Sequence, residues 1–187
     1  MAITEQLFLE GKEFFSTGHP DESIDKFTRA GKKGCNPVNV YLNRGAAYFI
    51  IGERDWSIRD FTRVLEIDAD NERAFYYRGI AYLAKGEFTD AVEDLTRSIA
   101  LNQERSTAFM ARGLAHAELD HIDESLQDLK RAIAFPDFEV MKFDNLFGEN
   151  RTLFAKSMAL LKGNREPWST VMTEDEVNIL REWFKNK

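Results

Sequence analysis

The segment AFYYRGIAYLAKGEFTDAVEDLTRSIAL, residues 74–101, contains the pattern that decides the fold. Its first half places large apolar side chains along one side of a helix, and its second half does so again after a break at Gly86. The segment VYLNRGAAYFIIGERDWSIRDFTRVLEI, residues 40–67, has the same arrangement 34 residues earlier. We therefore predict a helix–turn–helix unit that is repeated along the chain.

One glycine marks the period of this repeat. It recurs at 34-residue intervals, as Gly11, Gly45, Gly79 and Gly113. With this glycine at position 8, four units span approximately residues 4–37, 38–71, 72–105 and 106–139. A glycine inside a helix costs about 1 kcal/mol of helix propensity relative to alanine. Its recurrence therefore predicts that two helices approach closely at position 8.

Large and small residues recur at other positions of the unit. Three positions are mostly large. Position 4 is Leu7, Tyr41, Phe75 and Phe109, and position 11 is Phe14, Tyr48, Tyr82 and His116. Position 24 is Phe27, Phe61, Leu95 and Leu129. Two positions are mostly small. Position 20 is Ser23, Ser57, Ala91 and Ser125, and position 27 is Ala30, Val64, Ser98 and Ala132. Positions 4 and 11 are two helical turns apart and share a face. We expect the small residues to accept the large ones of the opposite helix.

Each unit also contains its own turn. Position 15 is Gly18, Gly52, Gly86 or Asp120, which is typical of the end of a helix. Three residues later come Asp21, Asp55, Thr89 and Asp123, which we predict to be the N-caps of the second helices. A single helix pair cannot bury its apolar face alone, so the units must stack on one another.

A pair of charged positions varies together between units. Position 7 is Arg44, Arg78 or Arg112 where position 23 is Asp60, Asp94 or Asp128, and the first unit has the reversed pair Glu10 and Lys26. This joint reversal predicts a contact between positions 7 and 23 across the two helices of a unit. We favour this structural role over the binding of an anionic ligand by these arginines.

These columns resemble the tetratricopeptide repeat family over about residues 4–137. The proline usual near position 32 is absent, since Pro37 and Pro136 lie elsewhere. The resemblance implies an all-α fold, a right-handed α-solenoid of helix–turn–helix repeats. Residues 138–187 leave the repeat, and we predict helices there that cap the stack, including a final helix with Trp183 and Phe184 on one side.

The resemblance also implies a site. In this family the first helices line a concave groove, where we expect a partner peptide or helix to bind. The predicted partner-binding residues are Phe8, Lys12, Asn39, Leu42, Asn43, Phe49, Arg73, Tyr76, Tyr77, Ile80, Met110 and Leu114. Tyrosine and arginine are residue types that often anchor interfaces. We therefore expect a non-enzymatic adaptor, scaffold or co-chaperone.

Two alternatives remain for the mode of binding. Some family members grip the carboxylate end of a chaperone tail with a clamp of Lys, Asn, Asn, Lys and Arg. Asn43 matches one clamp position and Arg73 gives a basic equivalent at another, whereas Phe8, Lys12 and Tyr77 break the pattern. The second alternative is a structural protein that self-assembles as a homo-oligomer through the C-terminal aromatic helix or the first repeat.

Composition argues against other classes of partner. The 187 residues carry a formal net charge of -7, which opposes binding to nucleic acid or to anionic membranes. No stretch approaches the roughly 20 apolar residues of a membrane-spanning helix, and the N-terminus lacks a signal-peptide pattern. The single cysteine, Cys35, permits no internal disulfide, so we expect a cytoplasmic location.

Motifs for catalysis are also missing from the sequence. The histidines His19, His116 and His121 lack the spacing of a zinc protease, and no phosphate-binding loop is present. We expect no catalytic residue, no metal and no cofactor.

Overall fold

The computed structural model describes residues 3–134. These residues form the helices α1 (Ile3–Ser16), α2 (Pro20–Lys32), α3 (Pro37–Ile50), α4 (Arg54–Ile67), α5 (Glu72–Lys85), α6 (Phe88–Leu101), α7 (Ser106–Glu118) and α8 (Ile122–Ile133). They belong to two compact units, of which the first ends at Leu101 and the second begins at Asn102.

The first unit contains the helix pairs α1–α2, α3–α4 and α5–α6. The two helices of each pair pack together, and within this unit α2 also packs on α3 and α4 on α5. In addition, α3 contacts both α1 and α5, so these three first helices form one layer. The second unit contains the pair α7–α8. The predicted all-α stack of helix pairs is confirmed.

The repeated glycine lies where the two helices of a pair come closest. A Cβ atom built on Gly11 would lie 2.7 Å from the ring of Phe27, and one on Gly79 would lie 2.8 Å from Cγ of Leu95. Both neighbours are at position 24, and both are buried. Even a methyl group would clash here, so only glycine allows the two helices to pack this closely. The close packing offsets the cost of glycine in helix propensity.

The predicted pairs of charges are present in all four repeats. In the third repeat, Nε and Nη2 of Arg78 donate to the two carboxylate oxygens of Asp94 at 2.7 and 2.8 Å. In the first repeat, Nζ of Lys26 lies 2.6 Å from a carboxylate oxygen of Glu10, so the reversed pair forms as well. The second and fourth repeats have the same bidentate arrangement, in the pairs Arg44–Asp60 and Arg112–Asp128. The predicted contact between positions 7 and 23 is confirmed.

Two of these arginines also join neighbouring repeats. Nη1 of Arg78 donates to the hydroxyl of Thr62 in the preceding repeat at 3.0 Å, and Nη1 of Arg44 donates to Thr28 at 3.1 Å. The Arg78 guanidinium also lies 5.9 Å from the ring centre of Phe75 and 5.8 Å from that of Tyr82. The aromatic residues at positions 4 and 11 therefore enclose the arginine at position 7.

The turns confirm one prediction and correct another. The residues at position 15 all have left-handed backbone angles, including Asp120 with a φ of 60°. The N-cap prediction is wrong, because Asp21, Asp55, Thr89 and Asp123 are each the second residue of their helix. Only one residue separates position 15 from the start of the second helix, so His19 takes the N-cap of α2. The aspartates instead place negative charge in the first helical turn, where it interacts favourably with the positive end of the helix dipole.

The predicted C-terminal cap, residues 138–187, lies outside the described residues, as do Trp183 and Phe184. The predicted repeat boundaries stay predictions. Each helix in the described part of the chain is too short or too polar to cross a bilayer.

Candidate partner-binding site

Five of the twelve predicted site residues are buried. These are Leu42, Tyr76, Ile80, Met110 and Leu114. Leu42 belongs to a core cluster with Phe61, Val64 and Ala74, so the next first helix contributes to its burial. In the state described by the structure, these five side chains are not accessible to a partner.

The polar members of the predicted site are accessible. Lys12, Asn39 and Arg73 are exposed, and Asn43 is half-buried. They lie on the three neighbouring helices α1, α3 and α5, so the structure brings them to one layer of the first unit. We call the accessible surface of these three helices the first-helix face.

The aromatic members of the site are half-buried and have packing partners. The ring of Phe8 lies 5.4 Å from that of Phe27, and the ring of Tyr77 lies 5.7 Å from that of Phe61, measured between centroids. Tyr77 also supports Arg73, whose guanidinium lies 6.0 Å from the tyrosine ring centre. These aromatic rings therefore help to hold the helix pairs together, in addition to any contact with a partner.

Phe49 is also half-buried, and its ring lies 4.9 Å from the guanidinium carbon of Arg54. Arg54 further donates to the Phe49 carbonyl at 3.1 Å, so this ring is fixed at the end of α3.

The sequence interpretation missed a second candidate site. A cleft of about 680 Å³ lies between α2, α3 and α4, and we call it the α2–α4 cleft. Its lining residues are Thr28, Tyr41, Arg44, Tyr48, Trp56, Arg59, Asp60, Arg63, Glu66 and Ile67. A comparison of the repeats with one another could have found it. Positions 19 and 22 are Glu22 and Asp25, Asp90 and Glu93, and Glu124 and Gln127 in three repeats, but Trp56 and Arg59 in the second.

Metal ligands do not assemble within residues 3–134, where no group of three His, Cys, Asp or Glu side chains could hold an ion. The Nδ1 atoms of His116 and His121 are 3.4 Å apart. Burial lowers the pKa of His116 below its ordinary value, and the nearby charge of Arg112 lowers it further against the opposing effect of Asp128.

Stacked helix pairs with an accessible layer of first helices define a helical-repeat interaction module. The tetratricopeptide repeat family model matches residues 51–104 and 76–138, so residues 51–138 of the chain belong to this family. No curated protein sequence matches the chain.

Several solved structures share the fold. The crystal structure of MamA is 24% identical, covers 71% of this chain and 77% of its own, and superposes with a TM-score of 0.66. YrrB, a TPR protein with an unusual peptide-binding site, is 13% identical, with 83% and 75% covered and a TM-score of 0.65. The second TPR of Spaghetti (RPAP3), bound to the HSP90 peptide SRMEEVD, is 28% identical, with 54% and 94% covered and a TM-score of 0.53.

Proposed function

We propose that this protein is a non-enzymatic adaptor that binds an acidic peptide segment of a partner protein on the first-helix face. One observation carries the proposal. Lys12 on α1 and Arg73 on α5 are exposed cations on either side of α3, and neither forms an ion pair with any residue in the described part of the chain. On a chain of net charge -7, two exposed cations that lack an ionic partner among residues 3–134 favour a carboxylate-bearing ligand.

The helix between these cations adds hydrogen-bonding groups. Asn39 and Asn43 lie one turn apart on α3, and the Nδ2 atom of Asn43 donates to the carbonyl of Asn39 at 2.7 Å. This bond holds the Asn43 side chain in place and leaves its carbonyl oxygen and second N–H for a ligand. Such groups can bind the backbone of an extended peptide while the cations bind its acidic side chains or its end.

An apolar component is available next to Lys12. Leu9 and Phe15 are exposed large side chains one turn before and one turn after it on α1. The burial of Leu42, Tyr76 and Ile80 removes much of the apolar groove that the sequence predicted. We therefore favour an acidic peptide with a few apolar side chains over a strongly apolar helix. The peptide-bound TPR of Spaghetti (RPAP3), whose ligand SRMEEVD is acidic, supports this choice.

A peptide-display selection tests the proposal. A library of random twelve-residue peptides is selected on the wild-type chain and, in parallel, on the variant Lys12→Ala/Arg73→Ala. Both side chains are exposed, so the variant should keep the melting temperature of the wild type. We expect acidic sequences from the wild type and their loss from the variant. Acidic peptides that bind the variant equally well would contradict the proposal.

The selected peptide also tests whether a free carboxylate end is read. Amidation of its C-terminus should weaken binding only if the terminal carboxylate contacts Lys12 or Arg73. If amidation leaves the affinity unchanged, the acidic side chains alone are recognised.

Self-assembly is the alternative function, and the exposed apolar residues Leu9 and Phe15 on α1 favour it. Sedimentation velocity at several protein concentrations separates the two functions. A monomer at all concentrations argues against self-assembly, whereas association that Leu9→Lys abolishes would support it.

A further inference from the structure

We infer that the α2–α4 cleft is a second binding site, which takes a peptide segment with an acidic side chain beside an aromatic or aliphatic one. This site is independent of the first-helix face, and its residues differ from those proposed to act there. Three observations support it: the state of the floor of the cleft, the character of its rim and the composition of the second repeat.

The floor of the cleft is formed by residues that hold the helix pair together. Arg44 donates to both carboxylate oxygens of Asp60 at 2.8 Å and to the hydroxyl of Thr28 at 3.1 Å. Its guanidinium also lies 5.5 Å from the ring centre of Tyr41 and 5.9 Å from that of Tyr48. Since three of its five N–H groups already donate within the protein, Arg44 serves mainly to build the floor of the cleft.

The rim, in contrast, has an exposed indole and an exposed guanidinium that can still bind a ligand. The Trp56 side chain is 48% exposed, and its ring stacks on that of Tyr48 with centroids 6.0 Å apart. The guanidinium of Arg59 lies 5.1 Å from the Trp56 ring and forms no ion pair with any residue among 3–134. Ile67 on the same rim is exposed as well. An apolar side chain can pack on Trp56 and Ile67 while a carboxylate pairs with Arg59.

The charge of the cleft is opposite to that of the chain. Its lining contains three arginines and two carboxylates, which gives a formal charge of +1, whereas the whole chain carries -7. Arg63 on the rim is paired with Glu66 one turn away, and both side chains are about half exposed. Arg59 is therefore the cation that a ligand can neutralise without breaking an existing bond.

The composition of the second repeat supports a role beyond folding. The third repeat has Asp90 and Glu93 at the positions of Trp56 and Arg59 and forms the same helix pair with them. The fold therefore does not require an indole and a guanidinium at these two positions. An exposed tryptophan beside an exposed arginine is typical of an interface anchor.

The experiment titrates the full-length ¹⁵N-labelled chain with the peptide acetyl-Asp-Phe-Glu-amide and follows the indole N–H signal of Trp56. The neutral peptide acetyl-Asn-Phe-Gln-amide is the matched ligand control. We expect a saturable shift with the acidic peptide and an affinity at least about tenfold weaker with the neutral one, because a charge-assisted bond is lost. The variant Arg59→Glu, which copies the third repeat, should lose affinity by a similar factor. The variant Lys12→Ala/Arg73→Ala should bind as the wild type does, which separates this site from the first-helix face.

Several results would overturn the inference. They are equal affinity for the two peptides, an unchanged affinity in Arg59→Glu, and the absence of any saturable shift. A shift produced by an oligothymidine strand but not by the peptide would assign the cleft to nucleic acid instead. Sedimentation as a dimer that Trp56→Asp dissociates would show that a second copy of the chain occupies the cleft. An unchanged melting temperature in Arg59→Glu shows that its loss of affinity comes from the site and not from unfolding.

Discussion

The buried pair Arg78–Asp94 provides the sharpest test of how the repeats are held together. The side chain of Asp94 is 5% exposed and that of Arg78 is 18% exposed. Burial raises the pKa of Asp94 and the hydrogen bonds from Arg78 lower it, with burial the larger effect. The buried carboxylate is therefore tolerated as an anion only because Arg78 is present. The stability of the folded state thus depends on this partner.

We predict that Arg78→Met lowers the free energy of unfolding by about 3–5 kcal/mol, because it strands a buried carboxylate. For a unit of this size, such a loss lowers the melting temperature by more than about 12 °C. The matched change Lys26→Met removes the cation from the reversed pair of the first repeat, where the side chains of Lys26 and Glu10 are 23% and 31% exposed. There the pair is partly solvated, so we expect a loss of about 1 kcal/mol or less.

The double variant Arg78→Glu/Asp94→Lys copies the reversed pair into the third repeat. It should recover at least half of the stability lost in Arg78→Glu alone, because the two charges are again opposite. Recovery should be incomplete, since the hydrogen bond to Thr62 is not restored. Urea denaturation followed by circular dichroism measures all of these variants. Equal losses from Arg78→Met and Lys26→Met, or no recovery in the double variant, would refute the reasoning.

Three further predictions concern the packing and one titratable group. Gly79→Ala should lower the free energy of unfolding by about 1–3 kcal/mol through overpacking, because the added Cβ would lie 2.8 Å from Leu95; thermal melting measures the change. Ser23→Ala should cost about 1 kcal/mol by removing the bond to the Gly11 carbonyl, whereas Ser57→Ala should be neutral or stabilising, because the buried Ser57 hydroxyl has no partner among the described residues; urea denaturation compares the two. His116→Tyr should reduce the loss of stability below about pH 6.5, since the unfolded chain takes up the His116 proton before the folded one does; melting at pH 7.5 and 5.5 measures this.

Each of these predictions has a contradicting result. A Gly79→Ala variant as stable as the wild type would show that the helices can separate without cost. Equal effects of the two serine changes would remove the distinction between a satisfied and an unsatisfied hydroxyl. For the histidine, the direction is fixed by the lowered pKa in the folded state. Its stabilising effect is complete above the unfolded pKa and is lost as the pH falls, so a variant with the same pH dependence as the wild type would contradict it.

The sequence predicted those features that repeat with the period of the fold. The glycine at position 8 predicted the close approach, and the reversal of Glu10 and Lys26 predicted the pair of charges, because each repeat supplies an independent instance of one contact. Four in-phase repeats also fix the fold class, since each helix pair has to meet its neighbour in the same way.

Properties that depend on neighbouring helices could not be predicted in this way. Leu42 occupies a position that faces the groove in the family, yet it is buried in a cluster with Ala74 and Phe61. The exposure of Leu42 is set by the side chains of the next repeat. A comparison of equivalent positions between repeats does not show which of these side chains cover it. The α2–α4 cleft could not be predicted for the opposite reason: Trp56 and Arg59 depart from the residues common to their positions in the other repeats, so no repeated pattern marks them.

Photo-cross-linking tests the central claim, that a partner peptide binds the first-helix face, most directly. Benzoylphenylalanine is introduced in place of Asn39, which is exposed on α3, or in place of Glu93, which is exposed on α6. Each protein is irradiated with the peptide selected by display, and the covalent adduct is quantified by mass spectrometry. We predict an adduct from the position of Asn39 and little or none from that of Glu93. Adducts of equal yield at both positions, or only at Glu93, would contradict it.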